Sequence, residues 1–203
     1  MIEADQSCGH IAGSRHGRPE DGSSDVALLE AAAVELGWSG AVLPRLRLFE
    51  DVVSVFVELD HEVHAARCAA SAGPVVDRTA VAMWSWPEYK DSAPKPAVRL
   101  GGVLAQGSRW QRSLRAAARF GGFGSTAVIV DTVRAPGEEC LLNAQVRGVG
   151  VVWRSPDGEV RLVGPGRIGP VATARPTVVS RWLNEVLYER LLAEDRAPVG
   201  TGR

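Results

Sequence analysis

Thr126-Ala-Val-Ile-Val-Asp131 is short, continuously apolar and β-branched, which reads as a strand buried on both faces. Beyond it Pro136 stands where a helix favours proline, in its first turn. Glu138 and Glu139 follow, where the positive end of the helix dipole stabilises them. That helix runs out at Gly148. Residues 149–153 and 159–163 read as two more strands, closed by Ser155-Pro156-Asp157-Gly158, whose proline and glycine suit a hairpin turn. Strand, helix and hairpin in this order predict an α/β or α+β fold, a central mixed sheet flanked by helices.

Upstream, residues 108–120 predict a helix, with Ser108 and Gln111 as a capping-box pair and Gly121 as its stop. Trp110, Leu114, Ala117 and Ala118 fall on one side of it. Arg109, Arg112, Arg115 and Arg119 fall on the other, within an arc of about 120°. No carboxylate on the helix pairs with them, so each repels its neighbour at i+3 or i+4 by a few tenths of a kcal/mol. Acidic residues from elsewhere, solvent, or the phosphates of a nucleic acid are what such a row calls for.

Further back, residues 98–105 are apolar, with Gly101-Gly102 marking a bulge or a close backbone approach. Residues 79–86 read as a strand halted by Pro87, and 91–96 as a loop. Residues 52–59 form a nearly all-apolar strand. In 42–49 Val42, Pro44, Leu46 and Leu48 alternate with Arg45 and Arg47, a half-solvated strand, and Glu50 and Asp51 suit a tight turn. Residues 25–36 give the first helix, ended by Gly37. Residues 177–192 give the last, capped by Thr177, with Val179, Trp182, Leu183, Val186 and Leu187 packing inward.

The chain of 203 residues fits a single α/β domain over 25–195, with disordered tails at 1–24 and 196–203. No apolar run approaches the roughly 18–20 residues that span a bilayer, and the N-terminus lacks the basic and apolar regions of a secretory signal. A cytoplasmic location is expected, with no membrane partner. Three widely spaced cysteines argue against a disulfide framework. Residues 1–97 hold 8 basic and 15 acidic side chains, whereas 98–203 hold 15 basic and 9 acidic. That asymmetry points either to an anionic partner or to two halves that attract each other. Lysine occurs only at Lys90 and Lys95, and arginine carries the remaining positive charge.

The densest polar cluster is Glu58-Leu-Asp-His-Glu-Val-His-Ala-Ala-Arg-Cys68. On a helix from Asp60, His61, His64 and Cys68 share a face, and imidazole and thiolate are ligands that zinc accepts. The same spacing describes an ordinary polar helix face. Walker and dinucleotide-binding glycine patterns are absent, and no serine has a recognisable histidine partner.

In element order, residues 25–164 resemble the restriction-endonuclease-like, or PD-(D/E)XK, nuclease superfamily, in which a helix and three strands are followed by a helix and a fourth strand. The matching residues are Asp60 at the end of a strand and Glu88-Tyr89-Lys90 after the next. The resemblance implies that Asp60 and Glu88 hold Mg²⁺ and that Lys90 activates water for phosphodiester hydrolysis, or that a degenerate relative binds nucleic acid without cutting it. The Arg109–Arg119 face would then hold phosphates. A reading from another class is an adaptor that binds a protein partner through exposed Trp84, Trp86 or the C-terminal helix.

Overall fold

Six strands lie in one sheet in chain order: β1 (Ala41–Leu48), β2 (Asp51–Leu59), β3 (Val98–Gln106), β4 (Ser125–Asp131), β5 (Gly150–Arg154) and β6 (Val160–Gly164). β1, β2 and β3 form an antiparallel meander, β3, β4 and β5 run parallel, and β6 returns antiparallel. Six α-helices accompany them among the described residues: α1 (Asp21–Leu36), α2 (His61–Ala69), α3 (Arg78–Met83), α4 (Trp110–Ala118), α5 (Glu138–Arg147) and α6 (Val178–Arg196). The computed structural model describes residues 21–107, 109–174 and 177–196. The expectations for residues 1–20 and 197–203, and for Ser108 as a helix cap, lie outside that range.

The two parallel crossovers, through α4 and α5, step the same way along the sheet. Right-handed connections therefore put both helices on one face, where α6 joins them. Leu114, Ala117, Ala144, Leu183 and Leu187 pack there against Val55, Val57, Val103, Val128 and Val151. On the opposite face α1 lays Leu29, Ala32 and Ala33 over Phe56, Leu104, Ile129 and Val152. The strand that begins at Ser125 is buried on both sides over six of its seven residues, as its unbroken apolar run requires. The Gly101-Gly102 pair serves both purposes that a strand glycine has. The β2–β3 register slips beside Gly101, and a Cβ on Gly102 would lie 2.5 Å from the Trp38 ring.

Two local expectations fail for identifiable reasons. Residues 79–86 are not a strand. Asp77 Oδ1 accepts the amides of Thr79 (2.7 Å) and Ala80 (3.3 Å), starting α3, and the Arg78 guanidinium stacks on Trp182 at 3.9 Å. A short apolar run without clear periodicity reads equally as strand or helix, and the Asp77 cap decides. In β1 the expected alternation changes phase at a bulge, because Leu43 and Leu46 oppose Val55 and Val53. Leu43, Leu46 and Leu48 consequently share the core face, while Arg45 takes a φ of 52° and its amide reaches Ser54 Oγ at 3.3 Å.

α2 and α6 are joined by a buried ion pair. Arg67 and Glu185 are 5% and 3% exposed and meet in a two-pronged contact, with Nη1–Oε1 and Nη2–Oε2 both 2.8 Å. The three remaining N–H donors of Arg67 reach the carbonyls of Ala72 (3.2 Å), Lys95 (3.4 Å) and Gly73 (2.7 Å), so all five are used. Glu185 Oε2 also accepts the Val75 amide at 2.8 Å. The guanidinium lies 4.8 Å from the Tyr188 ring centre, and hydrogen bonding to Glu185 raises its pKa above the ordinary arginine value. Glu185→Ala, leaving Arg67 buried and unpaired, is expected to destabilise the protein by about 3–5 kcal/mol in urea unfolding. A loss no larger than that of an exposed substitution would show that the pair carries no such role.

Candidate nucleic-acid interface

α4 owes its two-sidedness to the spacing of its alanines and arginines. Ser113, Leu114, Ala116 and Ala117 are buried against the sheet, and Trp110 packs at the edge of the same core. Arg109, Arg112 and Arg115 are left on the solvent side. They look across a surface cleft of about 1230 Å³ whose other walls are the β1–β2 hairpin and the C-terminal end of β3. Arg47 enters this cleft from the hairpin. It belongs to the polar face of a strand in the sequence, and only the turn of the meander brings it beside α4.

Arg119 behaves differently from its three neighbours. Its Nη1 lies 3.1 Å from Asp51 Oδ2 and 3.5 Å from Glu50 Oε2, so it is tied to the hairpin tip. Among the described residues, no carboxylate comes within 4.0 Å of the guanidinium groups of Arg47, Arg109, Arg112 or Arg115. Both acids in the cleft thus contact Arg119, and the other four arginines outnumber them there. Gln106, at the end of β3, also lines the cleft, and its buried Oε1 accepts no hydrogen bond among the described residues.

The hairpin tip is held in place by aromatic contacts. Phe49 has a φ of 54°, a left-handed conformation uncommon for a bulky side chain. Its ring sits 5.8 Å from Phe120, 6.3 Å from Phe123 and 6.1 Å from Trp182. Phe120 and Phe123 belong to the turn that follows α4, and Trp182 to α6. The contacts bring Glu50 and Asp51 to Arg119 and so fix one wall of the cleft against the other.

The Asp60, Glu88 and Lys90 set is spread over three settings. Asp60 closes β2 and caps α2, accepting the Val63 amide on Oδ1 at 3.0 Å. Its own amide donates to the Ala97 carbonyl at 2.8 Å, so the segment beside it is the start of β3, not Glu88. Glu88 follows α3 in an exposed turn, and Lys90 opens the short 3₁₀ turn Lys90–Ser92. β3, the strand that neighbours β2, carries neither a carboxylate nor a lysine in Val98–Gln106. The positions that the nuclease resemblance implies for Mg²⁺ ligands and a lysine therefore have no such side chains on that strand, and the residues present do not fit this centre.

His61, His64 and Cys68 do lie on α2, but His64 is engaged elsewhere. Its Nδ1 is 2.9 Å from the Tyr188 hydroxyl, and Cys68 Sγ lies 3.7 and 3.8 Å from the two ring nitrogens. Among the described residues no group of three or more His, Cys, Asp or Glu side chains is placed to hold a metal ion. Trp84 is half-buried, while Trp86 is 57% exposed and pairs with Tyr89 at 6.3 Å. Leu183, Leu187 and Tyr188 of α6 face the core, whereas Val179, expected inside, is exposed. No described helix is long and apolar enough to cross a membrane.

No family model, curated protein or solved structure matches the chain. The two described cysteines differ sharply in setting. Cys68 is exposed, and Cys140 is 3% exposed with its thiol pKa pushed up, first by burial and then by Glu139. Thiol labelling of the native protein, followed by peptide mapping, should modify Cys68 and spare Cys140 until unfolding. Protection of Cys68 that a chelator abolishes would instead show a metal held at His64 and Cys68.

Proposed function

We propose that this protein binds nucleic acid through the arginine-lined cleft, on a nuclease-like core that has no catalytic carboxylate–lysine set. The carrying observation is the group of four arginines, Arg47, Arg109, Arg112 and Arg115, that open onto one cleft and have no carboxylate partner among the described residues. Like charges gathered without partners repel, and a phosphate backbone relieves that repulsion. Guanidinium groups suit it well, since each offers a planar fork of donors to phosphate oxygens. The order helix, antiparallel strand trio, helix and parallel fourth strand supports the nuclease-like part of the reading. The composition of β3 supports the absence of hydrolysis.

Each phosphate neutralised on duplex DNA adds about 0.9 to the slope of log K against log salt. Arg112→Gln with Arg115→Gln is expected to weaken duplex binding and flatten that slope by about two units, with stability held within roughly 0.5 kcal/mol. Arg119→Gln, which frees Glu50 and Asp51 at the cleft wall, should weaken duplex binding, but as it removes no phosphate contact it should flatten the slope less than the double variant. Measured by fluorescence anisotropy across a salt series, an unchanged slope in the double variant would refute the cleft as the phosphate site.

A further inference from the structure

We infer that a second cleft, on the other side of the Phe49–Phe123–Trp182 aromatic group, binds a nucleotide with a purine base. Its volume is about 570 Å³, within the range of small-molecule sites, and its walls are the segment between α3 and β3, the loop after α4, and the first half of α6. Both lysines of the chain, Lys90 and Lys95, line it, and so does Arg181. None of the three has a carboxylate within 4.0 Å among the described residues; Arg181 is held by a 3.3 Å hydrogen bond from Nη1 to the Trp84 carbonyl. Two acids also line the cleft. Glu185 is neutralised by Arg67, which leaves Asp91 as the opposing charge. Three cations against one anion give an excess of +2, which matches a terminal phosphate carrying about −1.5 to −2 at neutral pH.

The rest of the lining suits the base. Trp84 and Phe123 are half-buried there and offer aromatic faces on which a base stacks. Asn184 lines the same cleft, and its side-chain amide makes no hydrogen bond among the described residues. An amide presents a donor and an acceptor side by side, the complement of the adenine N6/N7 edge. A purely apolar ligand would not engage the three exposed cations, and a simple inorganic anion would leave the aromatic faces and Asn184 unused. A nucleotide uses all of them.

These residues are separate from the arginine cleft, so the two readings fail independently. AMP is the probe, followed by equilibrium dialysis against the wild type, Lys90→Gln/Lys95→Gln, Asn184→Ala and Arg112→Gln/Arg115→Gln. The wild type and the arginine variant should retain AMP alike, whereas the lysine variant should bind it about tenfold or more weakly and Asn184→Ala should lose preference for AMP over UMP. A short single-stranded oligoadenylate distinguishes the source. If it binds the arginine variant more tightly than AMP and depends on the lysines, the site takes one unit of a strand; if AMP binds as well or better, it takes the free nucleotide. AMP binding that the lysine variant keeps, inorganic phosphate that competes as well as AMP, or retention of neither AMP nor oligoadenylate by the wild type would overturn the inference.

Discussion

The two-pronged contact between Arg67 and Glu185 ties together parts of the chain that the sheet alone does not hold. The residues between α2 and β3 include only the six-residue α3 and a 3₁₀ turn, and their own contribution to the core is small. Arg67 gathers the carbonyls of Ala72, Gly73 and Lys95 around one charge, and Glu185 returns the amide of Val75. Burying two charges costs several kcal/mol each unless every donor and acceptor is met, and here the five guanidinium donors all are. The result is a long connection fixed to α6 by polar contacts. It carries Trp84 and both lysines to the mouth of the second cleft.

A second constraint acts at the hairpin. The β1–β2 tip bends through a left-handed Phe49, and three aromatic rings from the turn that follows α4 and from α6 hold it there. Because Arg119 then contacts both Glu50 and Asp51, one of the two acid charges nearest the arginine cleft is offset within the protein. Removing that offset would place two carboxylates opposite Arg112 and Arg115. The positive character of the cleft is thus a property of the tertiary structure rather than of α4 alone, since one of its four arginines comes from β1.

The parts of this fold with strong local periodicity were legible before the structure. The buried strand at Ser125–Asp131, the hairpin after Gly148, the capped C-terminal helix and the two faces of α4 all follow from patterns within a dozen residues. Features set by distant partners were not. Nothing local says that Arg67 is buried, because its partner is 118 positions away. A bulge at Pro44–Arg45 shifts the phase of the first half of β1, so that Leu43 rather than Val42 and Pro44 joins Leu46 and Leu48, and an aspartate cap turns 78–83 from strand to helix. The second of these errors displaced the site as well, since a supposed strand at 79–86 put Glu88 and Lys90 next to Asp60. The neighbour of β2 is β3, which meets Asp60 at its start and contributes Gln106 to the arginine cleft from its other end.

The central claim, that one cleft meets the phosphate backbone, is tested most directly by amide hydrogen exchange with and without duplex DNA. Slowed exchange in residues 47–52 and 105–116, with α1 and β6 on the far side unchanged, is the expected footprint. Protection confined to α1 and β6, or no change under conditions where DNA is bound, would contradict the account.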